Sequence, residues 1–109
     1  MGRQAIAESP ALKKLLQDKS AHVRVTAAEA LWHIERQPAA VLAVLRPALR
    51  GSVETRVGAV QALGKMGPAA KPTVPDLVRL LADEEWDVRQ EAAAALKKID
   101  PKALPKSEK

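Results

Sequence analysis

Two histidines, four serines and thirteen carboxylates are the side chains from which catalytic or metal chemistry would have to be built in this 109-residue chain. His22 and His33 stand eleven residues apart. On one helix that is about 16 Å along the axis, too far to share a metal ion. Neither histidine sits in an HxxxH or HExxH pattern, so both read as solvent-exposed side chains. Asp83, Glu84, Glu85 and Asp87 crowd a turn and a helix start, where capping and the helix dipole account for acids, and EF-hand spacing is missing. Ser9, Ser20, Ser52 and Ser107 fall at turns, caps or the tail, without a GxSxG elbow. Ala62-Leu63-Gly64 and Met66-Gly67-Pro68 are helix-end features rather than a phosphate loop, because GxxxxGK[ST] is absent. No residue set forms a catalytic constellation, a metal site or a cofactor box. The expectation is a protein without enzymatic activity.

The composition sharpens that expectation. There is no Cys, which excludes thiolate nucleophiles, disulfides and cysteine metal sites. Phe and Tyr are absent, while 21 alanines sit in a background rich in Leu and Val, so the core is filled by small side chains. With 47% hydrophobic and 28% charged residues the chain is globular. Its longest apolar stretches are far too short to span a bilayer, and Met1-Gly2-Arg3 opens no signal peptide. A soluble, cytoplasmic protein is expected. The net charge is +5, distributed in blocks: residues 76–91 are acidic, the rest basic. Such a balance permits acidic protein or nucleic-acid partners without selecting one.

Three segments superpose along the chain. Val23-Arg24 through Ala27-Ala28-Glu29-Ala30-Leu31, Arg56 through Ala62-Leu63-Gly64-Lys65-Met66, and Asp87-Val88-Arg89 through Ala92 to Leu96 place Arg24, Arg56 and Arg89 in register. The spacings are 32 and 33 residues. Upstream, Leu12, Leu45 and Leu77 align, followed by Asp18, Gly51 and Asp83. A repeat of this length marks an array of supersecondary units.

Each unit reads as two helices. Val23, Ala27, Ala30, Leu31 and Ile34 form an apolar stripe of helical period, repeated by Ala59, Ala62, Leu63, Met66 and by Val88, Ala92, Ala95, Leu96, Ile99. The preceding helices carry Leu12-Leu15-Leu16, Val41-Leu45-Ala48-Leu49 and Leu77-Leu80-Leu81. Asp18 to Ser20, Ser52, and Asp83 to Glu85 supply caps before the second helices. Nothing alternates with period two, so no β-sheet is expected. A helix pair cannot bury its apolar face alone, so neighbouring units must stack. The fold expected is an all-α solenoid of about three helix pairs. It fills residues 1–105 as one domain, with units near 1–35, 36–67 and 68–100 and a charged tail at 106–109.

These residues resemble the HEAT-like repeats of the bacterial type first described in phycobilisome lyases. The resemblance runs over roughly residues 1–103 and is specific for fold rather than function. It implies a right-handed superhelix with first helices on the convex side and second helices lining the concave side. It also implies an arginine ladder in which Arg24, Arg56 and Arg89 pair with turn acids such as Asp18, Asp83 or Asp87. With Gly51 in the aspartate position, Arg56 should lack its local acid and borrow one from a neighbouring unit. Lyase-specific residues are not matched, so phycobilin-lyase activity is not carried over.

The middle unit departs in other ways. Pro47 falls inside the helix expected over 38–50, and Gly58 and Gly64 each cost about 1 kcal/mol of helix propensity. Pro72 and Pro75 delay the first helix of the third unit. Two outcomes are expected with equal weight: a flexible joint at unit two, or packing that overrides propensity.

Recognition remains as the function. Positions offset from the apolar stripes should face the concave surface: Glu29, His33 and Arg36 in the first unit, Gln61 and Lys65 in the second, Gln90, Lys97 and Lys98 in the third. Trp32 at the edge of its stripe and Trp86 at a helix start are candidate aromatic anchors, with space-filling as the alternative for Trp32. The expected function is a scaffold that binds a protein partner through this surface. The alternatives are a basic nucleic-acid-binding protein, using Arg36, Lys65, Lys97 and Lys98 along a phosphate backbone, or an accessory protein of the phycobilin-lyase type. End-to-end self-association, or membership of a larger chain, would cover the apolar ends of the stack.

Overall fold

The computed structural model describes residues 10–105. The start of the first unit and the tail at 106–109, both assigned from the repeat, lie outside the described residues. Among the described residues there are helices and no strand. They run as α1 (residues 10–15), α2 (Ala21–Glu35), α3 (Pro38–Ala48), α4 (Val53–Met66), a 3-10 segment (Gly67–Thr73), α5 (Val74–Leu80), α6 (Trp86–Ile99) and a final 3-10 turn (Pro101–Ala103). None is long and apolar enough to cross a membrane.

The starts of the long helices follow from their caps. Ser20 Oγ accepts from the Val23 amide at 3.3 Å, and Ser52 Oγ accepts from the Thr55 amide at 3.2 Å. Each satisfies an amide that has no partner in the first helical turn. Before α6 the cap residue is Glu85, whose side chain makes no capping bond.

Helices α2, α4 and α6 form one layer, with α4 packed between the other two; α3 packs on α2 and α4, and α5 on α6. The leucines that recur in the sequence are the centre of this stack. Leu31, Leu63 and Leu96 from the second helices and Leu45 and Leu77 from the first are all essentially inaccessible. Between them lie Ala28, Ala59, Ala62, Ala92 and Ala95, also buried. A side chain of one carbon lets helix axes approach to the short end of the 8–10 Å range, which is why this core needs no Phe or Tyr. The result is an all-α solenoid.

Helix α2 ends at Glu35, and Arg36 closes it in the left-handed conformation (φ 57°, ψ 30°), its amide donating to the Trp32 carbonyl at 3.0 Å. That backbone costs a non-glycine residue about 1 kcal/mol or more. The guanidinium lies 5.2 Å from the centroid of the Trp32 ring, a contact worth about 0.5–1 kcal/mol at an exposed site. The backbone effect is the larger of the two. Arg36→Gly is therefore expected to raise the urea midpoint by the equivalent of about 0.5 kcal/mol; a lowered midpoint would mean that the ring contact outweighs the strain.

Unit two shows how packing meets poor propensity. Helix α3 stops at Ala48 rather than reaching residue 50, and Pro47 sits in its last turn. Both Pro47 and Ala43, whose carbonyl loses its helical donor, are exposed, so water can take that carbonyl. At Gly58 a methyl group would meet only Val25 Cγ1, at 3.7 Å. Gly58→Ala is thus expected to stabilise the fold by about 0.5–1 kcal/mol, read as a rise in melting temperature. An unchanged or lower melting temperature would show that α4 needs this glycine for something other than space.

The third unit begins late, as its prolines require. The 3-10 segment carries Pro68 and Pro72, and Pro75 occupies the first turn of α5. Gly67 leaves α4 at φ 64°, a backbone that a side chain would strain. Thr73 is fully buried in the bend and donates from Oγ1 to the Ala70 carbonyl at 2.7 Å. Segment and helix together fill the place of one first helix.

Candidate partner-binding surface

The turns come first, because they set how far each second helix advances along the stack. Arg24 Nη1 donates to the carbonyls of Asp18 (2.6 Å) and Lys19 (3.0 Å), Arg56 Nη1 to that of Gly51 (2.7 Å), and Arg89 Nη1 to that of Asp83 (2.7 Å). The expectation that Arg24 and Arg89 would hold carboxylates is corrected: each holds backbone carbonyls of its own turn. The aspartates are engaged elsewhere. Asp18 Oδ1 accepts from the Ser20 amide at 2.8 Å, and Asp83 Oδ1 from the Glu85 amide at 2.9 Å.

Among the described residues Arg56 alone of the three adds a carboxylate, and it comes from the next unit. Its Nη2 donates to Asp83 Oδ1 at 3.2 Å. Its buried Nε lies 3.2 Å from Asp83 Oδ2, an ionic contact too bent for a hydrogen bond. Both side chains are mostly shielded, at 17% and 10% exposure. Arg56 thus ties the Gly51 turn to the Asp83 turn, across the boundary between units two and three.

Gly51 has a second consequence, beyond the acid that Arg56 takes from the next unit as expected. The cap residues Ser20, Ser52 and Glu85 each stand four before their arginine, yet Gly51-Ser52 replaces Asp18-Lys19-Ser20 with one residue fewer. In this shorter turn a Cβ at position 51 would lie 2.9 Å from Thr55 Cγ2. Among the described residues Arg24 has no carboxylate partner.

On the layer of second helices the expected residues separate into groups. Gln61 and Lys65 from α4 and Lys98 from α6 line one open groove of about 340 Å³. Glu91 faces them from α6, buried Val60, Gly64 and Ala95 make the floor, and exposed Ala94 completes the lining. Gly64 is what opens it: a Cβ there would sit 3.4 Å from Ala95 Cα and Cβ, so α4 and α6 touch at this point without a side chain between them. Sequence reasoning treated Gly64 as a weak spot in a helix and did not see the groove floor. Its place at the edge of the apolar stripe, in register with Trp32 and Lys97, was the available signal.

The remaining candidates lie outside the groove lining. Glu29 of α2 forms an ion pair with Lys65 of α4, so one cation of the groove rim is already matched. His33 is exposed on α2, and Gln90 and Lys97 are exposed on α6. Arg36 lies beyond the end of α2 and covers Trp32. Trp32 itself is 6% exposed, in line with the space-filling alternative: its ring is part of the core cluster. Trp86, at the first position of α6, is 62% exposed. Twelve residues of helix place it about 18 Å from Lys98 along the axis, at the far end from that rim residue.

The groove is an open, mixed-charge trough with a small apolar floor. Such a shape suits a protruding ridge of another protein, since small floor residues admit close backbone approach while Gln61, Lys65, Glu91 and Lys98 offer donors and acceptors along the rim. Among the described residues no group of three or more His, Asp or Glu side chains is arranged to hold a metal ion.

Comparison with known families gives two matches. A family model described as HEAT repeats matches residues 42–107, more than half of the chain, and one described as HEAT repeat matches residues 9–36. No curated protein and no solved structure matches the chain.

Proposed function

Since the chain belongs to the HEAT repeat family, whose members are generally protein-interaction scaffolds, we propose that it is a non-catalytic, cytoplasmic binding module. In this reading it takes a protein partner on the concave surface of its second helices. The observation that carries the reading is the α4–α6 groove, where Gln61, Lys65 and Lys98 converge over a floor opened by Gly64. Those residues do not build the fold. Gln61, Lys65 and Lys98 are exposed, and among the described residues only Lys65 is committed to an ion pair. Polar residues held over a close-packed floor are suited to orienting a partner, with Trp86 and Lys97 available to extend the contact along α6.

The finer likeness to the bacterial phycobilisome-lyase type rests on the alanine-rich second helices and their in-register arginines. The units proposed at residues 1–35, 36–67 and 68–100 follow the same register.

The test is affinity capture from source cells with the wild-type chain and with a Gln61→Glu/Lys98→Glu variant. Both substitutions are at exposed positions, and Lys98→Glu gives up a last-turn cation of α6 worth about 0.5 kcal/mol, so the melting temperature should fall by only a few degrees. A specific protein retained by the wild type and reduced about tenfold by the variant supports the groove. Equal retention by both refutes it. Capture of nucleic acid instead, with binding that falls steeply as salt rises, would transfer the reading to the basic nucleic-acid alternative.

A further inference from the structure

On the opposite layer, Asp76 of α5 joins two arginines from neighbouring units. Arg46 Nε lies 3.3 Å from Asp76 Oδ2, and Arg79 Nη2 donates to Asp76 Oδ1. Asp76 is mostly shielded, at 19% exposure, while Arg46 and Arg79 remain about half exposed or more. Each guanidinium carries five N–H donors, and the single carboxylate leaves most of them unused. Arg50, just beyond α3, borders the same place, and among the described residues no carboxylate pairs with it. Two adjoining grooves of about 150 and 360 Å³ meet at these residues, lined also by exposed Pro47 and half-buried Leu80 over the buried Leu49.

We infer that this α3–α5 groove is a second binding surface, and that it takes an acidic, partly apolar segment of a partner protein. Cations in the last turn of a helix are favourable for the helix itself, which accounts for the presence of Arg46 and Arg79. It does not account for their being drawn together over one aspartate, nor for Arg50 beyond the helix end. Three arginines against one acid leave the site at +2. Asp76 holds two of them in place before a ligand arrives, which lowers the ordering cost of binding. Arginine in a fixed fork matches a carboxylate with two parallel bonds. The apolar residues of the lining decide the class of macromolecule. A phosphodiester backbone would leave Pro47 and the accessible part of Leu80 uncovered and would meet Asp76 at close range, and among the described residues no aromatic ring lines the grooves for base stacking. A peptide that alternates carboxylates with aliphatic side chains satisfies both features. The surface is separate from the α4–α6 groove, so it stands or falls independently.

The probe is a fluorescein-labelled peptide of alternating glutamate and leucine, titrated with the full chain and followed by anisotropy at low and physiological salt. Arg50→Glu should weaken binding about tenfold, and Lys14→Glu, which changes the net charge equally at an exposed position of α1 outside both grooves, less than about twofold. A peptide with serine in place of leucine should bind more weakly. Absence of binding at low salt overturns the proposal, as does an equal loss in the two variants, which would reduce the effect to net charge. Tighter binding of labelled oligothymidine at this site, lost on Arg50→Glu, would also overturn it in favour of a phosphate-tracking surface. Arg50 has no described partner, so Arg50→Glu should keep the wild-type melting temperature.

Discussion

Arg56→Ala is expected to destabilise the protein by about 3 kcal/mol, far more than the same change at Arg24. Removing Arg56 leaves Asp83 shielded without its cation and strips the Gly51 carbonyl of its donor. A broken buried ion pair costs about 3–5 kcal/mol, and the low end applies because the pair keeps some contact with solvent. Arg24 bonds only to carbonyls of its own turn, so its loss should cost about 1–2 kcal/mol. Urea unfolding of both variants measures the difference. If Arg56→Ala costs no more than Arg24→Ala, the link between units two and three is not the stabilising contact described here. Asp83→Ala should approach the Arg56→Ala value, because it orphans the guanidinium and also frees the Glu85 amide.

The second large effect belongs to Gly64, and it changes sign with side-chain size. A methyl group at position 64 would stand at ordinary contact distance, 3.4 Å, from Ala95. Gly64→Ala should therefore be neutral or stabilising by up to about 1 kcal/mol, the gain in helix propensity. Gly64→Leu has no such room. Its added carbons point at the α6 backbone and must push the two helices apart, at a cost of about 3 kcal/mol, the upper part of the usual overpacking range. Thermal melts of the two variants should move in opposite directions or, at least, only the leucine variant should fall. A leucine variant as stable as wild type would show that α4 and α6 are not held at the separation described. The same substitution fills the floor of the groove, so it should also remove partner capture, whereas Gly64→Ala should reduce it much less.

Much of this architecture was legible before any coordinates, for a specific reason. Leu31, Leu63 and Leu96 recur with the arginines of their helices because stacked units bury equivalent positions, so a periodic pattern of apolar residues specifies both helix and face. The short turn of unit two was also present in the numbers. Arg24 to Arg56 is 32 residues and Arg56 to Arg89 is 33, while Asp18 to Gly51 is 33 and Gly51 to Asp83 is 32. That crossing of spacings marks one missing residue between Gly51 and Arg56. That Arg56 borrows an acid from a neighbouring unit was legible from Gly51; that the acid is Asp83 could not be read there, because partners across units are chosen by the advance of the stack and not by separation along the chain. Arg46 with Asp76, thirty residues apart, was missed for the same reason.

Trp32 and Trp86 show the division most clearly. By itself the sequence determined that this is an all-helical array with alanine-lined contacts, without cysteine chemistry or a recognisable catalytic motif, because those conclusions depend on residue type and period alone. It marked both tryptophans as exceptions to the pattern. Only the tertiary structure decided that Trp32 is buried under Arg36 and Trp86 stands in solvent. The physical reason is that exposure at the edge of an apolar stripe depends on what the neighbouring chain segment does. Arg36 turns back over one ring at the end of α2, and no described residue covers the other at the start of α6. The α4–α6 groove was decided at the same level, by the absence of a side chain at Gly64 directly opposite Ala95.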